Sequence, residues 1–259
     1  MPLPLLLLTL LLLKATFAWA QTPDSEQPVE LVTLDWPPYV GETLPAQGYA
    51  SEVMRHAFAA SGQAVNIRFV PWARALRMVR NGEADGLFPE YYDPVQRPNM
   101  NFSTAFPGGP VGLYVRSDRR LSLMADPRTH PELAVQALQG KRLGLVRGYI
   151  NHPAIDASEF FTRDLAVSDE QNLAKLFRGG VDAIFIDFFV ARYWIARRYP
   201  WFANELEAVE PAFEQKPLHL VMRKDQARAQ ALLDDFNRGL ETLRSNGQLE
   251  QILQNHGLR

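Results

Sequence analysis

The chain has 259 residues, 47% hydrophobic and 22% charged, the profile of ordinary globular protein with enough length for two lobes of about 100 residues each. A formal net charge of −2 gives the molecule no electrostatic reason to seek nucleic acid or an anionic membrane. The absence of cysteine excludes a disulfide framework, a thiolate metal site, a cysteine nucleophile and a lipid-modified N-terminal cysteine.

Leu5 to Leu13 is apolar except for Thr9, and Ala18-Trp19-Ala20 has the small-x-small pattern of a cleavage site. That run is too short to span a bilayer, which needs about 20 residues, and fits a signal peptide over residues 1–20 with export to the periplasm. An uncleaved anchor and a buried helix remain alternatives, because no Lys or Arg precedes the run and Lys14 follows it. Val29 to Leu34 reads as a buried strand. It stops at Asp35-Trp36-Pro37-Pro38-Tyr39, where two prolines forbid a continuing ladder. A helix is predicted over 51–60, a strand over 65–70, a helix over 73–80 and a strand over 84–88. Gly108-Gly109-Pro110 reads as a turn before a strand at 111–115, with a polar link through Ser117 and Asp118.

The alternation restarts at Arg142 to Val146, then a helix, Leu165-Ala166-Val167, a helix opened by a Ser168/Gln171 capping box, and Ala183 to Ile186. An apolar helical stretch follows from Phe188 to Ile195. After Pro211 come a strand at 218–222 and two amphipathic helices. A βαβ series that stops, restarts and is finished by helices predicts an α/β fold of two lobes, each a mostly parallel sheet flanked by helices.

No zinc-protease, phosphate-loop, dinucleotide or Gly-x-Ser-x-Gly motif occurs, and no cofactor or metal is expected. The five histidines are scattered and read as surface or packing residues. Ligands of parallel α/β sheets bind beyond the carboxyl ends of the strands. Four such ends deliver aromatic or charged residues: Asp35, Trp36 and Tyr39; Pro89, Glu90 and Tyr91; Arg147, Gly148 and Tyr149; and Asp187. Each alone could be a surface loop. Together they predict a shared cleft.

The sequence resembles the bacterial extracellular solute-binding proteins of family 3, the amino-acid-type binding components of ABC importers. The resemblance rests on Leu34-Asp35-Trp36-Pro37-Pro38-Tyr39, Gly82-Glu83-Ala84-Asp85-Gly86, Asn101-Phe102-Ser103, and Gly140 to Gly144 leading to Arg147-Gly148. Gly179-Gly180-Val181-Asp182-Ala183 with Asp187, and Asn246 to Ile252, complete it. It implies a two-lobed, type II periplasmic binding protein fold with a ligand cleft that closes like a flytrap. It also implies a monomer that hands an amino acid or similar solute to a membrane permease.

By the same resemblance Arg97, twelve residues after Asp85, would grip the ligand α-carboxylate, a task that suits the planar guanidinium fork. Asp187 would hold the α-ammonium, and Trp36 or Tyr39 would wall the side-chain pocket. The chain departs from the pattern at Pro89, Glu90 and Tyr91, where small hydroxyl residues are usual, and at Tyr149-Ile150, where the family has threonine. Glu90 beside Asp187 gives two acids and points toward a cationic or amine-rich solute. The expected lobes are 22–116 with 213–259, and 117–212, hinged near Ser117 and Pro211. A cyclohexadienyl-dehydratase-like enzyme with Glu90 as general acid, and a periplasmic sensor serving a membrane receptor, are the rival readings.

Overall fold

The computed structural model describes residues 27–258; the signal peptide expected over 1–20 lies outside them. The first strand, β1 (Val29–Thr33), is the buried strand the sequence suggested, with only Glu30 exposed, and it lies between β2 (Val65–Phe69) and β3 (Gly86–Glu90), parallel to both. Helix α1 (Tyr49–Ala59) joins β1 to β2, and α2 (Trp72–Asn81) joins β2 to β3. Helix α2 ends at Gly82, whose left-handed φ of 75° is the conformation a C-terminal glycine supplies without a Cβ clash. Two antiparallel strands follow, β4 (Met100–Phe102) and the long β5 (Phe106–Arg116).

The second half repeats the plan. It comprises α3 (Pro131–Gln136), β6 (Arg142–Val146), the single turn α4 (Pro153–Asp156), β7 (Thr162–Ala166), α5 (Asp169–Phe177), β8 (Ala183–Asp187) and α6 (Phe188–Arg197). Here β6 is central, parallel to β7 and β8. The short β9 (Leu206–Ala208) pairs with β5, and β10 (Glu214–Arg223) leads into the closing helices α7 (Ala229–Ser245) and α8 (Gln248–Asn255). Both closing helices pack on α1. Among the described residues no helix is long and apolar enough to cross a membrane.

Strands β5 and β10 tie the two halves together, and the path through the sheets runs β2-β1-β3-β10-β5-β8-β6-β7. The end of β10 pairs antiparallel with β3 and β4 in the first lobe, while its start pairs with β5. The end of β5, Val111 to Val115, pairs with β8 in the second. The crossing is therefore a ribbon of Phe106–Val111 against Glu214–Leu218, irregular between Lys216 and Leu218.

The pairing differs from three expectations. The hinge expected near Ser117 is at the far end of the second lobe, where Ser117 donates to the carbonyls of Glu205 and Asn204. Residues 111–116, expected in the first lobe, belong by pairing to the second sheet. Gly108-Gly109-Pro110 is no turn either: it continues β5. Gly108 is there because the ribbon is tight. A Cβ on Gly108 would fall 2.0 Å from the carbonyl oxygen of Lys216.

Candidate functional site

The loop after β1 closes on itself, with the amides of Tyr39 and Val40 donating to the Trp36 carbonyl. The fold thus fixes two rings at the carboxyl end of β1. Trp36 and Tyr39 lie with ring centroids 4.7 Å apart and are almost wholly buried. From the first lobe they reach across to two acids of the second. The Trp36 indole Nε1 donates to Asp169 Oδ2 at 2.9 Å, and the Tyr39 hydroxyl to Asp187 Oδ2 at 2.9 Å.

Asp187 ends β8 and caps α6. Its Oδ1 accepts from the amides of Phe189 and Val190 at 2.8 and 3.2 Å, which satisfies two of the helix's orphan donors. Its other oxygen faces the cleft, where Tyr91 joins Tyr39 as a donor at 3.4 Å. Gly109 makes room for this arrangement: a Cβ there would lie 2.1 Å from the Tyr39 hydroxyl and 2.6 Å from Asp187 Oδ2. Asp169, the first residue of α5, also accepts from the Tyr149 hydroxyl at 3.2 Å.

Glu90 and Arg97 form the third polar centre. Expected just past the strand, Pro89 and Glu90 are instead the last residues of β3. Arg97 Nε and Nη2 both approach Glu90 Oε2 at 2.8 Å, and Nη2 also donates to the Gly148 carbonyl across the cleft at 2.7 Å. Trp72 Nε1 donates to that same carbonyl at 3.2 Å. Lys216, on the crossing ribbon, donates to Asn151 O and Glu214 Oε1 and sits 5.2 Å from the Tyr91 ring centroid, a cation–π distance.

These side chains fill most of the cleft. Two adjoining cavities of about 20 and about 10 Å³ remain, lined chiefly by Trp36, Trp72, Glu90, Tyr91, Tyr149 and Asp187, room for roughly one water each. Burial dominates the titration. It pushes Glu90 from 4.5 to about 7 against the pull of Arg97. It raises Asp169 to about 7 and Asp187 to about 6, although tyrosine and tryptophan donors oppose the shift. Tyr39, Tyr91 and Tyr149 are held well above 10 by burial and the neighbouring acids, so they stay protonated and donate.

The structure brings together Trp36, Tyr39, Glu90, Tyr91, Arg97, Tyr149 and Asp187. It does not bring in Asp35 or Arg147. Asp35 is exposed and its carboxylate caps the Glu42 amide, while Arg147 is exposed at the rim. Asp169, Trp72 and Lys216 join the site without having been expected. Asp169 and Trp72 follow the ends of β7 and β2, so the rule that found the other residues covers them too. Lys216 lies on the ribbon and follows no such rule.

A model of the bacterial extracellular solute-binding proteins, family 3, matches residues 31–258. No curated protein matches the chain by sequence. Among solved structures, a histidine kinase sensor domain with similarity to periplasmic binding proteins superposes with a TM-score of 0.72 at 21% identity, covering 88% of this chain and 95% of that one. An ancestral arginine-binding protein bound to arginine gives 0.70 at 17% identity, covering 88% and 98%. An amino-acid ABC transporter substrate-binding protein of Streptococcus pneumoniae bound to L-arginine gives 0.69 at 19%, covering 88% and 93%. At these identities the likeness is one of fold: two α/β lobes with a cleft between them.

Proposed function

The chain belongs to the bacterial extracellular solute-binding proteins, family 3, and from this we propose that it captures a small polar solute between its lobes in the periplasm and delivers it to an ABC importer. The observation that carries the reading is the convergence of both lobes on one buried site. Trp36 and Tyr39 of the first lobe meet Asp169 and Asp187 of the second. A solute that contacts both lobes favours the closed form by its differential contacts alone. The strand pairing suggests lobes of residues 27–109 with 217–258, and 110–216, hinged at Gly108–Pro110 and Lys216–Leu218.

A sensor role for the same binding domain is the second reading, favoured by the likeness in fold to the histidine kinase sensor domain. The dehydratase-like reading is weaker. Glu90 has a suitable pKa of about 7, but its oxygens already accept from Arg97 and the Tyr91 amide. Thermal unfolding of the mature protein across amino acids, amines, sugars and organic acids tests solute capture. At least one class should raise the midpoint by several degrees. A flat response across the whole panel at millimolar concentration would sink the proposal.

A further inference from the structure

Resting on solute capture as the function of this cleft, we propose that the solute is an organic amine or guanidine cation without an α-carboxylate. The geometry argues this from both ends. The group that the family resemblance assigns to an α-carboxylate is already engaged. Arg97 turns Nε and Nη2 to the buried carboxylate of Glu90, and Nη2 also meets the Gly148 carbonyl. Glu90 is 4% exposed at the end of a strand and is held by Arg97 and the Tyr91 amide, so drawing Arg97 away would leave it buried without its cation. An incoming carboxylate would have to share one guanidinium with a second buried carboxylate, and like charges at such range repel strongly.

The opposite end lacks a cation. Arg97 is matched by Glu90 and Lys216 by Glu214. Among the described residues Asp169 and Asp187 are in no ion pair. Their partners are tyrosine hydroxyls, an indole N–H and backbone amides. Capping α6 does not require a charge, since Asn or Ser caps as well, and it uses only one oxygen of Asp187. Buried carboxylates without a counter-charge are costly to keep. They become useful when a cation enters.

The walls have the matching chemistry, independently of the acids. Trp36, Tyr91, Tyr149 and Trp72 line the cavities, with Trp36 edge-on to Tyr91 and Tyr149, and Tyr149 edge-on to Trp72. Aromatic faces attract ammonium and guanidinium ions, and their edges pack against an alkyl chain. The tyrosine hydroxyls that now donate to Asp169 and Asp187 turn aside when an N–H donor replaces them. An amine therefore finds acceptors for its protons, ring faces for its charge and an apolar wall for its carbons.

Calorimetry at pH 7.5 on matched pairs tests the assignment: agmatine beside L-arginine, cadaverine beside L-lysine, putrescine beside L-ornithine. In at least one pair the amine should bind at least tenfold more tightly than its amino acid. Asp169→Asn, checked as folded by circular dichroism, should weaken that amine at least tenfold. Glu90→Gln removes the competitor at Arg97 and should shift the ratio within the pair toward the amino acid by at least fivefold. Tighter binding of the amino acid in the pairs that bind would overturn the amine class and leave solute capture standing. No binding of any amine at 1 mM would also overturn it, while the wider thermal panel decides separately whether a solute is captured at all.

Discussion

Replacing Asp187 by Asn separates a side chain kept for binding from one kept for folding. The amide preserves the acceptor that caps α6 and has nearly the volume of the acid, so the two amide contacts at 2.8 and 3.2 Å survive. What disappears is a charge. Burial raises this carboxyl from 3.8 to about 6, and a rise of that size destabilises the folded form by about 3 kcal/mol once the pH exceeds the folded value. Part of the relief is lost because the amide is a weaker acceptor for Tyr39 and Tyr91. Asp187→Asn should therefore stabilise the solute-free protein at pH 7.5 by about 1–3 kcal/mol, a rise of roughly 2–12 °C in midpoint for a domain of this size. The same change should weaken the best-binding compound at least tenfold, since uncoupling a buried charge pair usually costs about 2–5 kcal/mol. Differential scanning calorimetry reads the first and titration calorimetry the second. A variant that is less stable and binds as before would show Asp187 to be a helix cap and nothing more.

Other expectations follow from the same geometry. Glu90, Asp169 and Asp187 all titrate higher in the folded state, at about 7, 7 and 6. Their contribution to stability is thus full below about pH 4 and is lost as the pH rises through 6 to 7. The solute-free protein should melt lower at pH 8 than at pH 5, and affinity for an amine should rise over the same interval; a flat profile in both would contradict the assigned burial. Gly109→Ala sets a methyl against the Tyr39 hydroxyl and Asp187. It should lower stability by about 1–3 kcal/mol and weaken binding, both readable by thermal unfolding with and without solute. Away from the cleft, Asp85 accepts from the Glu30 amide and from Arg228 at 2.6 Å, tying β1 to the start of α7. Asp85→Asn should lower stability by about 2 kcal/mol and leave solute affinity within twofold by calorimetry.

The fold was legible where one physical signal dominated. Strands showed as short stretches rich in apolar residues, and β6 begins and ends at Arg142 and Val146, where the sequence placed it. The capping box at Ser168 is present, with the hydroxyl accepting from the Gln171 amide, although Gln171 returns to Val167 and not to Ser168 itself. The crossing ribbon was not legible, because Gly108, Gly109, Pro110 and Pro217 carry the signature of turns. Gly108 answers the close approach of two strands from distant parts of the chain, and Gly109 that of Tyr39 and Asp187, and no local pattern encodes either. The cleft aromatics stood out by falling at strand ends. Asp169 was hidden by an equally good local explanation as a first-turn acid of α5, and its role depends on Trp36, 133 residues away. Asp35 misled for the converse reason: it sits at the right strand end but turns outward to cap a loop amide.

Small-angle scattering of the protein at pH 8 tests most directly the proposal that the two lobes close on the solute. A solute that contacts both lobes favours the closed form by its differential contacts. With a saturating amount of the tightest binder from the thermal panel, the radius of gyration should fall toward the compact value of about 18 Å for a chain of this length. An unchanged radius at proven saturation would contradict closure around the ligand.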